Sequence, residues 1–555
     1  MADKDIDLKQ LRSTLFSLLK PERSFFGVVV AYNIATGLMT LAVPIAVQTL
    51  INTVVNMASP RSVVILAIVL FCTLALSAFF AALRTEVMEY YERRVYARLV
   101  AELSLRTILA PRSFFEGRRN TSTAHRYFDI ITLQKNVPAL VVDGNALILQ
   151  MFVGFTLVAF YHPFLLAFNL FVLLLVWVIW RIWSGPAKRS AVRLSEAKYY
   201  TANWLSNLAA AHEYTKSASQ FDYASQKTEA YVAQYTALHE KHFSFTFKQV
   251  VLFYALYALA SSALLGLGGW LVIAGQLSIG QLVAAELIMS AVFLGLSRFP
   301  YYLKLYYELY GTADKLGSVL SIPQESLEQT SKPAPVNGAI YFNNVIVENR
   351  DEMCTLDFSI DSKEKVFVTT QNNWTQSSMI RLLKRYLEPK RGWIKLGGYD
   401  LNDLDSYELR QAVFVLDRSL IIECSITEYL KMSASNITKE AINNVIEQVG
   451  LYERICSLPD GFNTQLSAVG APLGPMEFIQ LKLASALLGS PKVLIINQHF
   501  DTIPQQRRQA LMDIIANMNT TVLYFTNAAD TAVFSRVIDI MVQPNANALP
   551  TRLRH

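Results

Sequence analysis

One carboxylate stands at the end of a long apolar run. Gln249 to Ala285 contains no Asp, Glu, Lys or Arg, and Glu286 follows directly. It lies about 9 Å along a helix from Gly280, at 1.5 Å per residue. An ionisable group at that depth is costly beside lipid chains, so it faces a bundle interior or water. The chemistry open to it is that of a ligand, ion or proton site, with Asn33, Gln48 and Asn52 of an earlier apolar run as polar companions. A structural contact between helices near the outer surface fits the same residues equally well. The four cysteines, Cys72, Cys354, Cys424 and Cys456, are widely scattered. Their spacing excludes a disulfide framework and a structural zinc site, and no metal is expected. A formal charge of +6 over 555 residues is too slight to argue for nucleic acid.

The elements that must position these residues are membrane helices. The chain is 52% hydrophobic and only 17% charged, with a mean hydropathy of +0.28, where a soluble chain carries about 25% charged residues. A span needs roughly 20 apolar residues to cross about 30 Å of hydrocarbon. Phe25 to Pro60 and Ser62 to Leu83 are charge-free and give one helix each. Gly144 to Trp180, broken at Tyr161-His-Pro163, and Gln249 to Ala285, broken around Gly275 to Gly280, give two each. The predicted spans are 25–50, 62–84, 139–161, 163–184, 249–274 and 280–303. Lys4, Lys9, Arg12, Lys20 and Arg23 precede the first span, while the connectors at His162 and Gly275 carry no Lys or Arg. The N-terminus is therefore expected on the cytoplasmic side. No short apolar stretch with a small-residue cleavage site opens the chain, so a cleaved signal is not expected.

The connectors Arg84–Asp143 and Arg181–Lys248 are long, charged and helix-forming. Helices of about 25 residues would extend nearly 40 Å from the bilayer, turning back near residues 113–119 and 212–216. Arg118, Arg119 and Lys216 read as surface at those tips, and the run Tyr301–Tyr307 reads as an interfacial aromatic belt, with Arg298 and Pro300 marking the inner interface and a bend. The domains expected are a transmembrane domain over 1–323, a linker over 324–338 containing Pro333 and Pro335, an α/β domain over 339–545, and a tail over 546–555. Strands are predicted at Ile340–Val347, Lys365–Thr369, Trp393–Leu396, Val413–Leu416, Val493–Ile496 and Val522–Phe525. Helices are predicted at Ser377–Leu387, Ile437–Val449 and Glu477–Leu488. The alternation implies a largely parallel sheet.

Six spans with long cytoplasmic loops, followed by an α/β domain, resemble one half of an ATP-binding cassette (ABC) exporter of type I fold. The resemblance covers nearly the whole chain. It is carried by Gly268-Gly-Trp-Leu-Val-Ile-Ala-Gly-Gln-Leu-Ser-Ile-Gly280, Asp314-Lys-Leu-Gly317, Leu458-Pro-Asp-Gly-Phe-Asn-Thr464 and Ala484-Ser-Ala-Leu-Leu-Gly-Ser-Pro491. It implies a P-loop NTPase-like cassette. A phosphate-binding loop closes backbone N–H groups around phosphates, neutralises them with Lys and offers Ser/Thr to Mg²⁺. By resemblance, the pattern G-x-x-G-x-G-K-S/T falls on Thr370-Gln-Asn-Asn-Trp-Thr-Gln-Ser377. Thr370, Asn373 and Thr375 stand for the glycines, Gln376 for the Lys, and Trp374 puts an indole in the loop. Ser377 survives, and reads more simply as a helix cap. The magnesium and base positions are Asn497 and Gln498, and the glutamine that reaches Mg²⁺ is Asp417. The switch histidine is Asn527, the aspartate after the catalytic pair is Pro504, and no aromatic lies near Asn349 to stack on adenine. The signature is Leu473-Gly474-Pro475-Met476-Glu477, where Pro475 removes a backbone donor and Glu477 places a negative charge at a helix start.

These positions imply a cassette fold without its chemistry. The expectation is a catalytically inactive, ABC-exporter-like membrane protein acting as a dimeric scaffold, sensor, passive conduit or maturation factor. It would bind neither ATP nor Mg²⁺, because almost all the electrostatic catalysis of phosphoryl transfer is removed. The alternatives are a regulatory half-subunit of a heterodimeric ABC transporter, and an ATP-driven exporter with a rebuilt nucleotide site. A homodimer, or a heterodimer with an active half-transporter, is the expected assembly, in contact with membrane lipid and in the bacterial inner membrane.

Overall fold

Each charge-free run becomes helix, because a segment crossing hydrocarbon must satisfy its backbone N–H and C=O groups within itself. The computed structural model describes residues 6–56, 60–115, 123–325, 333–349, 352–434, 436–527, 534 and 536–544. Among them, six helical stretches are long and apolar enough to cross a membrane: Leu8–Ile51, Pro60–Ile108, Tyr127–Ala159, Pro163–Ala210, Ala218–Ile273 and Ile279–Leu320. The chain divides into two units, Met1–Glu325 and Ser326–His555.

The membrane unit opens with α1 (Leu8–Leu19), which the predicted spans did not include. Asp7 caps it, accepting from the backbone N–H of Lys9 and Gln10, and Leu11, Leu15 and Leu18 bury one face at helical spacing. The first span was predicted as one helix over 25–50. It is two, α2 (Arg23–Met39) and α3 (Ala42–Asn56), interrupted at Thr40-Leu41. Pro44 is the cause: it has no N–H to donate, and its ring crowds the carbonyl of Thr40. The helix α4 (Pro60–Ile108) runs well past the predicted end at residue 84. The third span is α5 (Tyr127–Ala139), a π turn over Leu140–Gly144, then α6 (Asn145–Ala159). The rest are α7 (Pro163–Ala210), α8 (Ala218–Ile273) and α9 (Ile279–Leu320).

The second tip turns at Tyr214–Lys216, with Lys216 exposed, as expected. The first lies partly outside the described residues, and Arg118 and Arg119 with it. Phe253, Leu271, Phe293 and Tyr307 are enclosed in the main apolar core of this unit. Tyr307 therefore is not part of an interfacial belt, and its hydroxyl accepts from Gln249 Nε2 at 2.9 Å. Tyr301 is exposed. Gly154 permits α6 to lie against α9, since a Cβ there would sit 2.5 Å from Val292 Cγ2.

The α/β unit has two larger sheets, where a single largely parallel one was predicted. Strands β1 (Ile340–Glu348), β2 (Glu352–Ile360), β4 (Arg391–Leu396), β5 (Tyr399–Asp400) and β10 (Val542–Pro544) form an antiparallel sheet in the order β10-β2-β1-β4-β5. Strands β3 (Lys365–Thr370), β6 (Val413–Leu416), β7 (Val493–Ile496), β8 (Thr521–Phe525) and β9 (Arg536–Ile540) form a parallel one, ordered β9-β3-β8-β7-β6. Every residue of β7 and β8 is buried, the pattern of strands covered on both faces. Helix α10 (Asn373–Leu383) follows β3, and α11 (Ser406–Ala412) precedes β6. Helices α12 (Ile426–Lys431), α13 (Lys439–Gln448), α14 (Tyr452–Cys456) and α15 (Pro475–Gly489) lie between β6 and β7. Helix α16 (Gln505–Ala516) precedes β8.

Candidate functional site

The turn from β3 into α10 is built by one asparagine. Asn372 is the N-cap: its Oδ1 accepts from the Thr375 N–H at 3.3 Å and from Thr375 Oγ1 at 2.7 Å. Thr370 Oγ1 donates to the Asn372 carbonyl at 3.1 Å. Asn373 is exposed at the first helical position, and Thr375 is fully buried. Ser377 was predicted to cap the helix; it lies instead inside α10 and is exposed. Trp374 is in the first helical turn, where its Nε1 donates to the Glu352 carboxylate, which also accepts from Asn372 Nδ2 at 3.0 Å. Gln376 is 3% exposed and its Nε2 has no hydrogen-bond partner.

At the end of β7, Asn497 Oδ1 accepts from the His499 N–H at 3.1 Å and caps the turn Gln498–Thr502. Asp501, which the sequence reading passed over, joins this turn to β8. Its carboxylate accepts from Tyr524 Oη and, at 2.9 Å, from Thr526 Oγ1. Burial, and then the Asp501 contact, push the Tyr524 phenol well above its ordinary range. Asn527 follows Thr526 and is exposed. Pro504 directly precedes α16. Asn349, directly after β1, donates its N–H to the Glu352 carbonyl.

Asp417 follows β6 and is tied to α15. Lys482 Nζ lies 3.1 Å from its Oδ1 and also donates to the Ser419 carbonyl at 2.9 Å and Ser419 Oγ at 3.0 Å. Burial alone would raise the Asp417 carboxyl, but hydrogen bonds from Ser419 and the Lys482 charge hold it below the usual carboxylate range. Lys482 is only 3% exposed.

Helix α15 starts at the predicted signature. Leu473 is buried, Gly474 is the N-cap and Pro475 the first helical residue. A first-turn N–H has no intrahelical acceptor, so Pro475 costs α15 no helix bond, and the donor it removes is one that would point outward from the helix start. Met476 is half-buried against the apolar core around α15. The Glu477 charge is not left open. Its Oε2 accepts from the Gly474 N–H at 2.8 Å, and its Oε1 is 3.1 Å from Arg454 Nε. Arg454, from α14, was not singled out in the sequence.

Among the described residues, Asn33, Gln48 and Glu286 each have separate partners. Asn33 donates from Nδ2 to the carbonyls of Val141 (3.1 Å) and Val142 (3.0 Å) in the π turn, and accepts from Arg84 Nη1 at 2.8 Å. Gln48 accepts from Tyr161 Oη at 3.0 Å. The Asn52 side chain lies outside the described residues. Glu286 accepts from Ser290 Oγ at 3.3 Å, and its Oε2 is enclosed without a partner.

Comparison with known proteins places this geometry. Residues 26–296 match the family described as the ABC transporter transmembrane region. The chain is 23% identical over 500 residues to the leukotoxin translocation ATP-binding protein LktB of Mannheimia glucosida, covering 88% of this chain and 70% of that protein. It is 22% identical over 498 residues to the exotoxin translocation ATP-binding protein PaxB of Pasteurella aerogenes, and likewise to the alpha-hemolysin translocation ATP-binding protein HlyB of Escherichia coli, with the same coverage. A solved bacterial Atm1-family ABC exporter with ATP bound aligns with a TM-score of 0.78 at 16% identity, over 92% of both chains. These matches correct one expectation. The reading as a catalytically inactive scaffold, sensor, passive conduit or maturation factor is overturned, because the relatives are named as ATP-binding translocation proteins. The chain is a multi-pass membrane protein whose residues 26–296 match the ABC transporter transmembrane region and which has the fold of an ABC exporter.

Proposed function

We propose that this chain is one half of an ATP-driven ABC exporter, the regulatory half-subunit of a heterodimer in the bacterial inner membrane. The reading joins two findings. The relatives are ATP-binding translocation proteins, and the residues at this chain's own phosphate-loop and base positions, Gln376 and Gln498, bring neither a cation nor a carboxylate. Turnover then takes place on the partner's phosphate loop and catalytic pair, with this chain's α15 capping that nucleotide.

The observation that carries the reading is the start of α15. Glu477 alone would repel a γ-phosphate. Held by the Gly474 N–H and paired with Arg454, it presents a neutralised helix start instead. The chain thus offers a partner's nucleotide a charge-compensated helix start, short of the one backbone donor that Pro475 lacks, while its own loop supplies no lysine for the triphosphate.

Purification of the tagged chain from its native membranes tests this. The expected result is an equimolar second half-transporter carrying a lysine-containing phosphate loop, and magnesium-dependent ATP hydrolysis by the pair. Recovery of a homodimer alone, with or without hydrolysis, would overturn it.

A further inference from the structure

The loop between β3 and α10 is already occupied by an anion of the chain itself. Glu352 is the first residue of β2. Its Oε2 gathers two side-chain donors from the loop, Asn372 Nδ2 at 3.0 Å and Trp374 Nε1. The same Asn372 turns its Oδ1 onto the Thr375 N–H and hydroxyl, so one residue links the carboxylate to the cap of α10. Further along α10, Gln376 is 97% enclosed with an Nε2 that bonds to nothing. The side-chain donors that meet the carboxylate, from Asn372 and Trp374, are both uncharged, and the carboxylate satisfies both.

We infer that Glu352 is the resident anion of this loop, an autoinhibitory contact that orders the start of α10 without nucleotide and competes with any phosphate for the same donors. Charge decides the competition. A carboxylate accepting from charge-neutral donors makes short, strong hydrogen bonds. An incoming phosphate would have to displace it, and would meet its negative charge with no lysine in the loop to offset the repulsion. The indole ring of Trp374 closes the remaining space, packed against the core that contains β1, β2 and β3. The inference rests on the reading that this chain leaves hydrolysis to its partner.

Hydrogen exchange on the full-length protein tests it, read at the amides of residues 370–378. In the wild type these should exchange slowly, and millimolar Mg-ATP should change nothing. Glu352→Ala should speed their exchange about tenfold or more, the loss of two charge-assisted hydrogen bonds. Inorganic phosphate or acetate at high concentration should then slow it again. Trp374→Phe, which keeps the ring and removes only the N–H, should give a smaller increase and serves if Glu352→Ala does not fold. Unchanged exchange in both variants would overturn the inference, as would protection of the wild-type loop by ATP. Neither outcome touches the identity of the co-purifying partner, so this inference and the heterodimer reading fail separately.

Discussion

Asp417 and Lys482 show what single residues contribute. An ammonium group buried to 3% exposure is tolerable only because a carboxylate and two Ser419 oxygens surround it. Asp417→Asn should therefore destabilise the α/β unit by about 3 kcal/mol, since it strands the charge rather than merely removing a pair. Asp417→Asn with Lys482→Met should recover most of that loss. The pH dependence follows from the depressed Asp417 carboxyl. Its contribution is complete above the ordinary carboxylate value of about 4 and disappears as pH falls through the lower folded value. Thermal unfolding followed from neutral to acidic pH should show the wild type converging on Asp417→Asn only at the acid end; a gap independent of pH would refute it. Gln498 makes a second test on the proposed reading. Gln498→Glu restores a carboxylate but no positive charge, so phosphate release by the chain alone should stay at background. Measurable magnesium-dependent release would contradict that expectation.

At the level of elements, what was legible followed from what hydrocarbon forbids. Charge-free runs located six spans because every buried charge is heavily penalised, and β7 and β8 were found because apolar strands covered on both faces read as continuous runs. The helix break at Thr40 was signalled by Pro44, yet hydropathy alone hides it. The strand β2 was missed because Glu352, Thr355, Asp357 and Ser359 interrupt its apolar residues. The partners of the site residues were illegible for a different reason: Glu352 reaches Trp374 of α10 from β2, and Lys482 of α15 reaches Asp417 across 65 positions, pairings that only the folded unit creates. The π turn offers a prediction at this scale. Asn33 satisfies the carbonyls of Val141 and Val142, so Asn33→Leu should cost about 1–3 kcal/mol by leaving polar groups unpaired. Gly154→Ile should cost about as much through overpacking against Val292. Gly27, whose added Cβ would meet nothing within 4 Å, provides the control: Gly27→Ala should leave detergent-solubilised unfolding temperatures within a degree or so of wild type, a change of under about 0.5 kcal/mol.

The whole molecule is a question of charge at a shared site. The proposed heterodimer needs this chain to present a helix start that a partner's γ-phosphate can approach, and the start of α15 carries one carboxylate and one guanidinium in contact. Removing the guanidinium leaves an uncompensated negative charge within the first turn, where a helix otherwise favours anions. Arg454→Glu doubles that charge. In the purified pair, this substitution should lower magnesium-dependent ATP hydrolysis by about tenfold or more, equivalent to about 1.4 kcal/mol on the barrier. Co-purification should be intact, because Arg454 is half exposed and outside the apolar core of the unit. Arg454→Lys keeps the charge and should retain most of the activity. A structural role would instead lower the unfolding temperature in both variants and leave the rate per folded complex unchanged. If hydrolysis by the pair is indifferent to Arg454→Glu, α15 of this chain does not cap a working nucleotide, and the regulatory half-subunit must act through some other face.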